Sequence, residues 1–191
     1  MNFTKMAEVF LRDTLVDRAR AFAQEAHREQ KRKYTGEPYS VHCAEVAELV
    51  GTIGGGSPEM VAAAYLHDVV EDTPFSQEDI TREFGQEIST LVYFLTDKSK
   101  PSDGNRAARK AIDREHIAQA PQNAKIIKLA DLISNTKSIA SHDPDFAKVY
   151  LKEKELLLPL LECPNPLYAL ACQELVQASL LLLEGKTNGT I

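Results

Sequence analysis

Three pairs of a capping side chain and a following proline mark helix starts in this chain: Ser57–Pro58, Asp143–Pro144 and Asn165–Pro166. The side-chain oxygen takes an orphan backbone N–H of the first turn. The proline then occupies a position whose N–H has no partner to lose. Each pair predicts a helix start. Ser76 with Asp79 adds a capping-box pattern, followed by Ile80, Phe84, Ile88, Leu91 and Leu95 at helical spacing. Phe10, Leu15, Phe22 and Ala26 trace a looser helical face nearer the N-terminus. A last helix is predicted from about Pro166 to Glu184, with Gly185 as its stop. No alternating run of β-branched residues bounded by turn residues signals a strand. Lys31–Pro38, Gly51–Ser57 and Thr96–Asn105 read as loops, none long enough to divide the chain. The expectation is all-α, a single helical domain over residues 1–191 with roughly seven to nine helices.

Length and charge narrow the function. A chain of 191 residues can bury a core of its own. Its net charge of −6 argues against a nucleic-acid partner, but leaves room for a phosphorylated small molecule held by a metal and a few local cations. No apolar run approaches the roughly 20 residues that span a bilayer. The N-terminal MNFTKMAEVFLRDTLVDRAR lacks the apolar centre of a secretory signal. No membrane partner and a cytoplasmic location are therefore expected. Cys43, Cys163 and Cys172 form no CxxC pair, an odd and sparse set that fits reduced thiols.

The chemistry concentrates in His67-Asp68-Val69-Val70-Glu71-Asp72, which follows the apolar stretch Met60–Leu66. If the helix beginning at Pro58 continues through this segment, Glu71 lies one turn from His67 and Asp72 one turn from Asp68. That much charge at the end of a buried helix costs several kcal/mol unless compensated, and a divalent cation is the simplest compensation. His42, at the start of a helix with Val46 and Leu49 facing the core, is a further candidate ligand. Asp131, set between Ala130 and Leu132 in the apolar segment KIIKLADLISNTKSI, is another. Two imidazoles and two carboxylates suit Mn²⁺, Fe²⁺ or another first-row metal better than Ca²⁺ or a structural zinc. A single histidine on an apolar helix is usually structural, and the four-residue set carries the argument. His116 and His142 read as solvated residues, and His27 as a source of a supporting hydrogen bond. Lys128 and Lys137 read as surface residues.

The pattern H…HD…D resembles the signature of the HD phosphohydrolase superfamily. The flanking words KRKYTGEPYSVH, LHDVVEDT and KLADLISN resemble, in order, the hydrolase domain of RelA/SpoT homologues, from about His27 to about Tyr150. Those enzymes handle the alarmones ppGpp and pppGpp. The resemblance implies an all-helical domain holding one Mn²⁺ and hydrolysing the 3′-pyrophosphate of ppGpp to GDP (or of pppGpp to GTP) and pyrophosphate, as in the stringent response. It implies His42, His67, Asp68 and Asp131 as metal ligands and Glu71 and Asp72 as the acidic pair acting on the attacking water. It further implies Arg32 and Lys33 as contacts to the nucleotide, Asn135 as the residue that holds it, and Tyr150 as a nucleotide-contacting tyrosine. Arg106, Arg109 and Lys110 follow the Thr96–Asn105 loop and fit either a phosphate-binding or a solvated basic face. Cys43 stands where the family has proline, and the loop from Lys33 to Gly36 is one residue longer than in the long bifunctional enzymes. The length leaves no room for a synthetase domain, so the layout expected is that of a free-standing small alarmone hydrolase, similar to the metazoan SpoT homologue. Other readings stay open. An HD enzyme could act instead on (p)ppApp, a deoxynucleotide or NADPH, or the chain could sense a nucleotide without cleaving it.

Overall fold

The computed structural model describes residues 14–187. Among them it contains nine α-helices, two short 3₁₀ turns and no strand beyond an isolated bridge between Lys31 and Pro38. The all-α expectation is met. The chain divides into two compact units, one ending at Thr96 and one beginning at Asp97.

The first unit carries α1 (Leu15–Ala26), α2 (Ser40–Thr52), α3 (Pro58–Leu66), α4 (Val69–Asp72) and α5 (Gln77–Leu95). Thr14 caps α1 through its side chain, Ser57 caps α3, and the Ser76–Asp79 capping box opens α5. The caps predicted at Ser57 and Ser76 are thus present, while Phe10 lies outside the described residues. Helix α3 packs on α1, α2 and α5, with Ala62, Ala63, Ala64 and Leu66 fully buried. Three small side chains in succession let neighbouring helices approach closely, which a row of larger residues would prevent. Helix α5 is interrupted at Gly85, whose φ of 84° is open to glycine and strained for other residues.

The second unit carries a 3₁₀ turn (Pro101–Asp103), α6 (Arg106–Ala118), α7 (Gln122–His142), α8 (Pro144–Leu157), a second 3₁₀ turn (Leu158–Leu161) and α9 (Pro166–Thr187). Asn105 and Asp143 cap α6 and α8. Helix α9 packs mainly on α7, burying Leu167, Ala171, Leu175 and Ala178.

Two expectations are corrected here. Helix α9 runs through Gly185 to Thr187; a glycine weakens a helix but ends it only where the following backbone turns left-handed. Its Pro166–Glu184 segment has a mean hydropathy of 1.4 over 19 residues, long and apolar enough by length and composition to cross a membrane. The expectation that no segment approaches this length overlooked that Gln173, Glu174 and Gln177 dilute but do not break the apolar run. One side of this helix is packed in the second unit, and Val176, Leu180, Leu181 and Leu183 are exposed.

Candidate active site

The His67-Asp68 pair does not lie inside a helix. Helix α3 stops at Leu66, His67 is its C-terminal cap, and Asp68 adopts φ −101°, ψ −2° before the short helix α4. This corrects the expectation of one continuous helix. The Asp68–Asp72 turn is retained, since the Asp72 N–H donates to the Asp68 carbonyl at 2.9 Å. Adjacent residues on an α-helix point about 100° apart and do not face each other. The break lets them do so: His67 Nε2 lies 2.9 Å from Asp68 Oδ2.

His42, in the first turn of α2, brings its Nε2 to 3.7 Å from the same carboxylate oxygen. The His42 and His67 rings meet edge to face with centroids 5.1 Å apart, and both side chains are almost wholly buried. The tautomer of His67 follows from its other nitrogen. Nδ1 sits 2.8 Å from the carbonyl oxygen of Ala64, which can only accept, so Nδ1 carries the proton and, in the neutral ring, Nε2 a lone pair. In that neutral form Nε2 and the carboxylate oxygen, 2.9 Å apart, are two ligating atoms aimed at one place; in the imidazolium form they make an ion pair. The spacing also suits coordination, because donors each about 2.1 Å from one ion and at right angles to each other lie about 3 Å apart. A backbone carbonyl fixing the far nitrogen of an imidazole is the usual support for a ligating histidine. The donor chemistry therefore fits a first-row divalent cation. Tyr39 donates to Asp68 Oδ2 at 2.6 Å and steadies the carboxylate.

The acidic pair follows at once. Glu71 and Asp72 sit on α4 and are exposed, and Asp72 Oδ2 accepts from Gln30 Nε2 at 2.8 Å. The KRKYTGEP loop is a tight hairpin. Its neck is closed by the Tyr39 N–H to the Gln30 carbonyl at 3.0 Å, and Arg32 N–H donates to the Glu37 carbonyl at 2.8 Å. Lys33 is exposed and packs over the Tyr34 ring. The Arg32 side chain is only 19% exposed and pairs with Glu45 at 3.5 Å, so it is more firmly held than a residue in a polar loop is expected to be.

In the second unit, Asp131 stands in the middle of unbroken α7 and is buried. Lys128 Nζ lies 2.9 Å from its Oδ2 and Asn135 donates to its Oδ1 at 2.6 Å. These neighbours occupy i−3 and i+4, the positions a helix brings together. Lys128 was expected at the surface; its side chain is 18% exposed and its ammonium serves Asp131. Tyr150 is buried against Thr136, 3.3 Å between hydroxyls, and burial raises its pKa. Arg109 donates to the Gly104 carbonyl. Arg106 is committed to Glu153 through two bonds of 2.6 and 2.9 Å. Lys110 binds Asp97 at 2.6 Å; burial pulls its pKa down, and the bonds and charges of Asp97 and Asp113 outweigh it and leave it raised.

Two residues went unremarked in the sequence. Asp113 is buried on α6 and accepts the Lys98 and Ser99 N–H groups and the Ser99 hydroxyl at 2.9–3.0 Å. It thereby anchors the start of the Thr96–Asn105 loop. Burial opposes its ionised form, yet these hydrogen bonds and Lys110 hold its pKa below the usual value. Lys154 packs its ammonium 4.8 Å from the centre of the Tyr150 ring. Burial, reinforced by the charge of Lys128, lowers its pKa to about 8. An aspartate in the charged segment RKAIDRE signals little when its partners are mostly backbone groups. A lysine in the segment YLKEKE reads as solvated. His116 is partly exposed and His142 exposed, in keeping with the plain reading.

Comparison with known proteins gives a consistent picture. A family model described as an HD domain matches residues 19–157. A probable guanosine-3′,5′-bis(diphosphate) 3′-pyrophosphohydrolase of Synechocystis is 37% identical over 150 residues, covering 76% of this chain and 20% of that protein. The guanosine-3′,5′-bis(diphosphate) 3′-pyrophosphohydrolase MESH1 of Xenopus tropicalis is 37% identical over 134 residues, covering 69% of this chain and 73% of that protein. The chain thus spans about a fifth of the Synechocystis relative's length. The solved structure of a metazoan SpoT orthologue that hydrolyses ppGpp superposes with a TM-score of 0.77 at 27% identity, covering 86% of this chain and 96% of that one.

Proposed function

We propose that this chain, which belongs to the HD domain family, is a metal-dependent hydrolase that removes the 3′-pyrophosphate of ppGpp or pppGpp, giving GDP or GTP and pyrophosphate. The observation that carries the reading is the turn at His67-Asp68, which brings an imidazole nitrogen and a carboxylate oxygen to 2.9 Å, the spacing of two donors to one cation. The 37% identity to the Xenopus enzyme supports the choice of substrate. The family match runs through residues of both units, which supports treating the chain as one HD domain.

In this reading His42, His67, Asp68 and Asp131 bind one Mn²⁺ or a related divalent ion. Such an ion neutralises phosphoryl oxygens and promotes the ionisation of water. The protein does the rest. Glu71 or Asp72 accepts the proton of the attacking water at a carboxylate oxygen, and for Asp72 that atom is Oδ1, since Oδ2 is taken by Gln30. Arg32 and Lys33 at the hairpin engage the base and phosphates, with the guanidinium suited to stacking and the ammonium to point-charge contact. Asn135, Arg109 and Tyr150 complete the nucleotide contacts. Asn135, bonded to Asp131, ties substrate binding to a ligand.

The test is a product assay. Dialysis against a chelator should abolish hydrolysis of ppGpp and Mn²⁺ should restore it, with GDP and pyrophosphate as products. Running ppApp and NADPH in parallel assigns the base. Turnover of one of those in place of ppGpp would move the substrate and keep the site. Tight binding of ppGpp without product would establish a sensor instead.

A further inference from the structure

One group in the first unit has a hydrogen-bond pattern that the metal site does not explain. His27, which the sequence offers as a source of a supporting hydrogen bond, follows α1 and is 1% exposed. Its Nδ1 lies 2.6 Å from Gln30 Oε1, and Gln30 Nε2 donates to Asp72 Oδ2 at 2.8 Å. The direction of every bond follows from the last member. A carboxylate accepts, so the amide must turn its NH₂ toward Asp72 and its oxygen toward His27. That oxygen also only accepts, so His27 must donate through Nδ1. Nε2 of His27 is left as a buried lone pair with no hydrogen-bond partner.

Leaving a buried acceptor unsatisfied costs on the order of the bond it forgoes. A histidine here is thus a poor choice if only packing is at stake. What it provides is a single N–H aimed at Gln30. The backbone fixes Gln30 as well, for its N–H donates to the His27 carbonyl at 2.9 Å and its carbonyl accepts from Tyr39 at 3.0 Å. Tyr39 in turn packs on the His27 ring, centroids 5.0 Å apart, and holds Asp68. The neck of the hairpin therefore grips both acids, Asp72 through Gln30 and Asp68 through Tyr39. A cavity of about 760 Å³ opens where Gln30 meets Asp72, walled by Ala26, Thr73 and Phe75. An exposed aspartate at such an opening samples several rotamers unless something holds it.

We propose that Gln30, oriented by the Nδ1–H of His27, is a positioning residue that fixes the carboxylate of Asp72 for proton transfer. The proposal rests on the hydrolase reading for the role of Asp72. The relay itself can be read without substrate. Gln30→Met keeps the length and apolar stem of the side chain and removes both bonds. It should lower kcat roughly tenfold to a hundredfold, the scale of a misplaced reacting group. KM should stay within about twofold and bound metal at its wild-type value, while the buried His27 N–H left without its partner lowers the melting temperature slightly. Gln30→Glu, of equal size, places a carboxylate against Asp72 and should lower kcat further still. In ¹⁵N-labelled protein loaded with diamagnetic Zn²⁺ and free of nucleotide, His27 should show a protonated Nδ1 and an unprotonated Nε2. That signature should disappear in Gln30→Met.

Unchanged kcat in Gln30→Met overturns the proposal. So does a fall in kcat matched by loss of metal or of folded protein at the assay temperature, and so does a His27 proton on Nε2 in the wild type. Failure of the wild type to hydrolyse any of the nucleotides refutes the hydrolase reading and with it the role given to Asp72. The ¹⁵N measurement still decides, separately, whether His27 orients Gln30.

Discussion

The two units present their acidic donors by opposite means. In the first, a helix stops: α3 ends at Leu66 and the turn at Asp68 swings a carboxylate to within 2.9 Å of the preceding histidine. In the second, a helix continues: α7 runs unbroken from Gln122 to His142, and Asp131 takes its neighbours from the i−3 and i+4 positions of the same helix. The turn assembles groups that cannot meet on a helix. The helix supplies its carboxylate with a lysine and an amide before any ligand arrives.

The largest effect should come from removing either acid. Asp68→Ala and Asp131→Ala should both lose bound metal and all turnover, as read by metal analysis on the purified variants. They should part company in stability. Asp68→Ala loses the Tyr39 hydrogen bond and the contact with His67, both at a turn partly open to solvent, and should leave the metal-free protein within about 1 kcal/mol of wild type in denaturant unfolding. Asp131→Ala removes the carboxylate 2.9 Å from the largely buried Lys128 ammonium and should cost roughly 1–3 kcal/mol. Equal stability of the two variants would break the contrast.

The acidic pair on α4 should show the next effect. Glu71→Gln and Asp72→Asn should retain metal and lose turnover, by roughly 10²-fold or more where the general base is removed. Because the pair sits past the corner, neither change should touch the histidine–Asp68 geometry. Loss of metal in either variant would make that residue a ligand and redraw the site.

The smallest effect concerns the second unit's ionic balance. Burial and then Lys128 lower the Lys154 pKa to about 8 from 10.5, against the opposing pull of Asp131. Between those values the unfolded chain binds more protons than the folded one, so stability should rise as pH increases through that window, and the full cost is present below about pH 8. Lys154→Met should remove this slope. Asp131→Asn should push the Lys154 titration lower still, which ¹⁵N-detected titration of the ammonium would show. An upward move would contradict the balance described.

Much of this was legible in the residues. The caps at Ser57, Ser76 and Asp143 stand where side-chain chemistry puts them, because a cap is decided by neighbours in sequence. The helix break at His67-Asp68 was not legible, since no proline or glycine marks it; what rewards it is the contact of His67 with Ala64 and Asp68. Lys128 read as surface because its partner lies three residues on and only the helix shows that they meet. Gln30 went unnoticed for a similar reason: its two contacts, His27 and Asp72, become neighbours only when the hairpin closes. Gly185 was overvalued as a stop, the composition of a residue being weaker evidence than the backbone around it.

The most direct test of the account follows nucleotide and metal together in wild type and Asp68→Ala. Both proteins are stripped, reloaded with Mn²⁺ and given ppGpp, and the products are counted. The wild type should bind one Mn²⁺ per chain and release GDP and pyrophosphate in equal amounts, while Asp68→Ala, folded as judged by its helical content, should bind no metal and leave ppGpp intact. Equal metal content and equal GDP release from the variant would contradict the central claim that the corner at His67-Asp68 is the seat of the chemistry.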